Sequence, residues 1–218
     1  VERCLFTRNV AGHYGGGISI EGAGLVKNCL VYDNQCLSIA GGGGIYMGVA
    51  GAIVLNCTVA GNQAPSTFDG GGIYRAAGSV SNSIIYFNRL SSGLDDNINT
   101  NSAETYFRNC CSTELVHDPA GTGNITTDPS FADRANGDFA LGAGSPCIDV
   151  GTNIATIVND YGGTARPIDG DGDSVARHDI GALESPAFGT GPLNINFFAD
   201  TNEAPYWLQT VFIAVAAG

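Results

Sequence analysis

The sequence predicts an all-β chain wound into a right-handed parallel β-helix (a solenoid), with a loop-rich C-terminal cap and a short β extension. Three observations predict it. A nine-residue segment recurs five times at near-constant spacing. A glycine triplet followed by isoleucine keeps the same beat, and apolar residues at helical i, i+3, i+4 spacing are almost absent.

The segments are VERCLFTRN from Val1, VKNCLVYDN from Val26, VLNCTVAGN from Val54, VSNSIIYFN from Val80 and FRNCCSTEL from Phe107. Stacked, they give coherent columns. Val1, Val26, Val54, Val80 and Phe107 are apolar, while Glu2, Lys27, Leu55, Ser81 and Arg108 are mostly suited to solvent. Two further columns read Arg3, Asn28, Asn56, Asn82, Asn109 and Cys4, Cys29, Cys57, Ser83, Cys110. Phe6, Val31, Val59, Ile85 and Ser112 make another file, apolar but for its last member, and Asn9, Asn34, Asn62 and Asn88 close the segment. The triplets Gly15–Gly17, Gly42–Gly44 and Gly70–Gly72 precede Ile18, Ile45 and Ile73, and a degenerate Asp95-Asp96-Asn97 precedes Ile98. These isoleucines stand 27, 28 and 25 residues apart. Short runs of Val, Ile, Tyr, Phe and Thr bounded by Asn and Gly are strand-and-turn chemistry. Three strands and three turns take roughly 20–30 residues, one coil rising about 4.8 Å. Like residues then stack on like, and the right hand follows from the rule for parallel crossovers.

The beat breaks past Leu115. Asp128-Pro129, Ser145-Pro146 and Arg166-Pro167 mark turns, with Phe131, Phe139, Leu141 and Ile148 as anchors. The expected division is coils over residues 1–115, a cap over 116–184 covering an open end of the helix, and a linker with a terminal strand over 185–218. Val1 enters inside a repeat and is not Met, so a processed or truncated chain is expected. Head-to-tail stacking onto that first coil would give a fibre.

Composition excludes several classes. Thirty-two glycines among 218 residues have no third-residue period, which excludes collagen, and 44% apolar residues suffice for a core. A net charge of −12 with Lys27 as the sole lysine is unfit for nucleic acid. No apolar run approaches the roughly 18 residues of a membrane span. The seven cysteines lack CxxC spacing, which disfavours a zinc site.

FTRN (Phe6–Asn9) alternating with GGGI resembles the FxxN and GGA[ILV] repeats of polymorphic outer-membrane proteins, exported adhesin passengers of the autotransporter kind. GNITTDPSFADRANGDFALGAGSPCIDVGTN (Gly123–Asn153) and DYGGTARPIDGDGDSVARHDIGALE (Asp160–Glu184) resemble the C-terminal segment of bacterial choice-of-anchor Q β-helix proteins. The resemblance covers residues 1–184 and implies a secreted or cell-surface bacterial protein.

Several residue groups are candidates for chemistry. In the loop Asp169-Gly-Asp171-Gly-Asp173, with Asp179 beyond it, oxygens on alternate residues can converge on calcium in a structural role. Ser174 and Ile180 depart from the EF-hand pattern, and a solvated Asp/Gly turn is the competing reading. Arg166, His178 and Glu184 read as residues that pin the cap by hydrogen bonds. Asp95 and Asp96 read as turn residues, or as weak catalytic candidates in a glycosidase-like pair. The stacked cysteines read as buried filler, since parallel Cβ vectors do not point at each other. Cys36 and Cys147 lie outside the column and are open to pairing with each other or a neighbour. His13, His117 and His178 are scattered and expected to be exposed. Tyr32, Tyr46, Tyr74 and Tyr86 suggest aromatic ladders that brace the surface or bind sugar rings.

The function expected is a non-catalytic extracellular or cell-surface scaffold or adhesin-like module. Its expected partners are further copies of itself in a filament, or a carbohydrate or other cell-surface ligand. The alternative is a lyase or hydrolase of acidic polysaccharide. The strong negative charge and the lack of a basic column weigh against that alternative.

Overall fold

The computed structural model describes residues 1–38, 41–65, 70–99, 106–116 and 122–186. His117 and the terminal extension from residue 187 lie outside them. The first coil runs β1 (Leu5–Thr7), β2 (Val10–Ala11), β3 (Ile18–Ile20) and β4 (Gly24–Lys27). The second runs β5 (Leu30–Tyr32), β6 (Gln35–Cys36), β7 (Ile45–Met47) and β8 (Ala52–Leu55). The third repeats it as β9 (Thr58–Ala60), β10 (Gln63–Ala64), β11 (Ile73–Arg75) and β12 (Ser79–Ser81). A partial fourth supplies β13 (Ile84–Tyr86), β14 (Arg89–Leu90) and β15 (Phe107–Arg108). Equivalent strands pair in parallel as sheets β1-β5-β9-β13, β2-β6-β10-β14, β3-β7-β11 and β4-β8-β12-β15. The chain is therefore a parallel β-solenoid.

Each full coil carries four strands where three were expected, because the asparagine column bends one run in two. Asn34 Nδ2 donates to Asn62 Oδ1, and Asn62 Nδ2 to Asn88 Oδ1, each at 2.9 Å. The same amides donate to the preceding rung at Phe6 O and Val31 O, each at 2.9 Å. The bend is thus a continuous amide ladder, and the two-residue strands β2, β6, β10 and β14 follow it.

The inward files match the sequence columns. Phe6, Val31, Val59 and Ile85 are in register, as are Val26, Val54, Val80 and Phe107. All but Phe6 are buried. Each such side chain contributes about 1.5–3 kcal/mol on leaving water. Ile18, Ile45, Ile73 and Ile98 lie in one file as predicted. Beyond the half-buried Cys4, the cysteine column is buried filler with hydrogen bonds. Cys29 Sγ, Cys57 Sγ and Ser83 Oγ donate to carbonyls two residues back at 3.1, 3.2 and 2.8 Å.

The cap differs from expectation. Residues 122–127 add a partial rung, with Asn109 N donating to Thr122 O and Ser112 N to Ile125 O. The chain then turns back along the rod, through the hairpin β16 (Phe131–Asp133) and β17 (Asp138–Leu141), instead of plugging an end. It lies on the outer face of the sheet β1-β5-β9-β13, where Leu30, Ala60, Phe139 and Ala182 form one buried cluster. The cause is that this sheet is apolar on both faces, with Leu30-Val31 and Ile84-Ile85 as neighbouring pairs, so its outer face needs cover.

Candidate functional site

The flank segment is fastened by the second asparagine column. Asn28, Asn56, Asn82 and Asn109 turn the chain between the sheets at φ 50, 48, 46 and 50°, a left-handed conformation asparagine tolerates. Their side chains then face outward to the segment. Asn28 Nδ2 donates to Asn159 O at 2.8 Å, Asn82 Nδ2 to Thr152 O at 2.8 Å and Asn109 Nδ2 to Val150 O at 3.1 Å. Arg3 Nε, in the same column, donates to Tyr161 O at 3.3 Å. One residue per rung therefore holds the segment along the rod.

Beneath it lies a buried ionic network. Arg166 Nε stands 2.9 Å from Glu184 Oε2, with both side chains wholly buried, and Arg166 Nη2 donates to Gly181 O at 2.9 Å. Glu184 also accepts the Ile168 and Asp179 N–H groups. Asp179 accepts those of Asp149 and Ser185. Burial raises the Asp179 carboxyl to about 6 and the Glu184 carboxyl to about 7, with Arg166 acting the other way on both. The expected pinning role of Arg166 and Glu184 matches these contacts.

His178 was expected at the surface and is instead buried, 1% exposed. It sits where the segment crosses the second asparagine column, its Nδ1 3.3 Å from Asn56 Nδ2. An amide N–H donates only to an unprotonated ring nitrogen. Burial, with Arg166 adding to it, lowers the His178 pKa to about 4. Between pH 6.5 and 4 the unfolded chain therefore takes a proton that the folded ring refuses, and stability falls as the pH falls. The size is on the order of 3 kcal/mol. The raised carboxyls have the opposite sign, since stability falls as the pH rises from about 4 through 7. His178→Gln removes the first contribution alone. Its urea midpoint, measured against wild type at pH 7, 5.5 and 4, should gain on the parent as the pH drops. A constant difference between the two would refute the assignment.

The acidic loop splits the sequence candidates. Asp169 and Asp171 join Asp149, with one carboxylate oxygen from each inside a 4.8 Å cluster. Asp173 instead lies 3.8 Å from Arg177 Nη1, and Asp179 is buried in the network below. The loop also organises itself. Asp149 Oδ2 accepts the N–H of Gly170 and Asp171 at 2.6 and 2.9 Å, and Asp169 accepts those of Gly172 and Ser174 at 2.7 and 2.9 Å. Three carboxylate oxygens this close together could hold a metal ion. Asp149 was missed because it lies some 20 residues upstream, outside any local loop pattern.

The remaining candidates separate clearly. Asp96 Oδ1 accepts the Gly70 N–H at 2.7 Å in the degenerate corner, while Asp95 faces solvent. Tyr46 and Tyr74 stack at 5.5 Å on the outer face of the sheet β3-β7-β11, and Tyr14, absent from the sequence pattern, extends the stack at 4.3 Å. Tyr32 and Tyr86 belong to the covered sheet, with Ala60 in register between them, and Tyr32 packs on Phe139 instead. Cys36 and Cys147 are not paired with each other. Cys36 Sγ donates to His13 O, and Cys147 lies in the flank layer beside Cys111. No helix among the described residues is long and apolar enough to cross a membrane. Comparison with protein-family models, with curated proteins and with solved structures finds no match for the chain.

Proposed function

We propose that the chain is a non-catalytic scaffold or adhesin-like module of the cell surface or extracellular space, presenting a stiff acidic rod to a surface ligand or to further copies of itself. The observation that carries this reading is how the clustered ionisable side chains are used. Asp96, Asp149, Asp169, Asp179, Glu184 and Arg166 each bond backbone groups that hold a corner or the flank segment. Such groups are committed to architecture, whereas a hydrolase or lyase needs a carboxylate or base free to reach substrate. The resemblance of the repeats to exported adhesin passengers points the same way. In this reading the Tyr14-Tyr46-Tyr74 stack is the carbohydrate-facing element, and Asp149, Asp169 and Asp171 hold calcium as a structural ion.

The test images the protein by electron microscopy and measures its retention on immobilised glycans, with and without calcium. Filaments or glycan retention are expected, with retention weakened several-fold in Tyr46→Ala. Calcium should raise the thermal midpoint in wild type and not in Asp171→Asn. Turnover of a uronate polymer, or a monomer that binds no glycan, would overturn the reading.

A further inference from the structure

Cys111 and Cys147 meet across the interface between rod and flank. In the covered sheet, alternate residues face out, and Leu30, Thr58 and Ile84 are in register on that outer face. Cys111 bridges Ile84 and continues the file, whereas its neighbour Cys110 points inward with the cysteine column. Cys147 belongs to the opposing layer. Its carbonyl accepts the Ile180 N–H at 2.9 Å, and it packs with Ile148, Ile180 and Leu141 against Ile84 and Cys111. Both residues are fully buried and belong to one packed cluster.

The geometry points to a disulfide between Cys111 and Cys147 that staples the flank segment to the last rungs of the rod. This pair differs from the stacked cysteines in one decisive respect. Cys29 and Cys57 project in parallel from neighbouring rungs of the rod. Carbonyl bonding does not set them apart, since Cys111 Sγ donates to Thr127 O at 3.2 Å much as Cys29 and Cys57 donate to carbonyls at 3.1 and 3.2 Å. Cys111 and Cys147 come from two layers that face each other across one buried cluster, the arrangement that lets side chains meet head-on as a disulfide requires.

The chemistry is exchange with a protein or small-molecule disulfide. One cysteine thiolate attacks the oxidant, releasing one oxidant thiol. The second cysteine then displaces the other, so the chain gains one S–S bond and loses two hydrogens while the oxidant becomes two thiols. The neighbouring Cys147 thiol, and burial after it, hold the Cys111 thiol well above its ordinary range in the folded state. The exchange therefore belongs to folding, before the flank segment seats. The pairing stands whether or not the chain is a surface scaffold.

The test refolds the full chain in a glutathione redox buffer, alkylates it under denaturing conditions without reductant, and maps the cross-linked peptides by mass spectrometry. A peptide joining Cys111 to Cys147 is expected, two mass units lighter than its parts, with the other five cysteines alkylated. Alkylation of both residues, or a bond from Cys147 to a different cysteine, would overturn the inference. Reductant should lower the wild-type thermal midpoint by roughly 5–15 °C. Cys111→Ser and Cys147→Ser should show no such response, and Cys36→Ser should keep it. If the serine variants fail to fold, the mapping on wild type still decides.

Discussion

Asn62→Leu should lower the unfolding free energy by about 3–5 kcal/mol, whereas Asn9→Leu should cost about 1 kcal/mol or less. The two positions share a sequence column and differ in what surrounds them. The Asn62 side chain makes five hydrogen bonds. It accepts from Asn34 N and Nδ2, each at 2.9 Å, and donates to Val31 O, Ala60 O and Asn88 Oδ1 at 2.9, 3.2 and 2.9 Å. Leucine has nearly the same volume but leaves the Asn34 N–H without its acceptor in a wholly buried site. It also removes the three bonds that the Asn62 amide donates, while the Asn34 amide keeps Phe6 O and Tyr32 O. An orphaned buried donor costs its full desolvation. Asn9 is exposed, and its side chain makes one bond within the ladder, to Asn34 Oδ1 at 2.9 Å. Urea titrations of both variants give the comparison directly, provided the slope m is unchanged. Equal, small losses at the two sites would mean that the ladder is a consequence of the stacking rather than a cause of it.

The rod was legible because its information is periodic. Each inward residue meets its own equivalent one coil away, so a column of Val31, Val59 and Ile85 is already a contact list. The glycine and asparagine motifs share a beat because they touch. A Cβ on Gly17, Gly44 or Gly72 would lie 2.7–3.0 Å from the amide nitrogen of Asn34, Asn62 or Asn88. The flank segment was not legible in the same way, because its contacts join residues such as Asn82 and Thr152 that share no period. The doubly apolar strands of the covered sheet were a partial signal. It was an ambiguous one, since β8 is equally apolar and leaves Ile53 41% exposed. His178 was misplaced for the same reason. A lone histidine in an acidic, glycine-rich stretch carries no sign of the asparagine it will meet. The acidic loop was half legible, as alternating aspartates announced Asp169 and Asp171 but not Asp149.

Gly43→Ala should cost about 4 kcal/mol or more, while Gly12→Ala should be neutral to within about 0.5 kcal/mol. Alanine is ordinarily a stabilising replacement for glycine where the backbone permits it. At Gly43 the backbone does not permit it. The new Cβ would stand 2.3 Å from Gly71 O in the next rung and 2.4 Å from both the carbonyl carbon and oxygen of Gln63. Those atoms are main chain, Gln63 in the paired strand β10 and Gly71 O at the glycine corner, where it accepts the Gly44 N–H, so no side chain can swing away to make room. The same closeness recurs one rung below at Gly16, against Gly43 O at 2.2 Å, and one rung above at Gly71, against Arg89 O at 2.5 Å. The glycine corner is therefore a seam where two walls of the solenoid meet backbone to backbone, and a methyl group anywhere along it must wedge them apart. Gly12 lies on the first coil with nothing within 4 Å of its would-be Cβ, which isolates the steric effect from the entropic one. Thermal and urea unfolding of the two variants decide the matter. A folded Gly43→Ala protein with an unchanged midpoint would show that the walls can part without loss, and the role assigned to the triplets would fall with it.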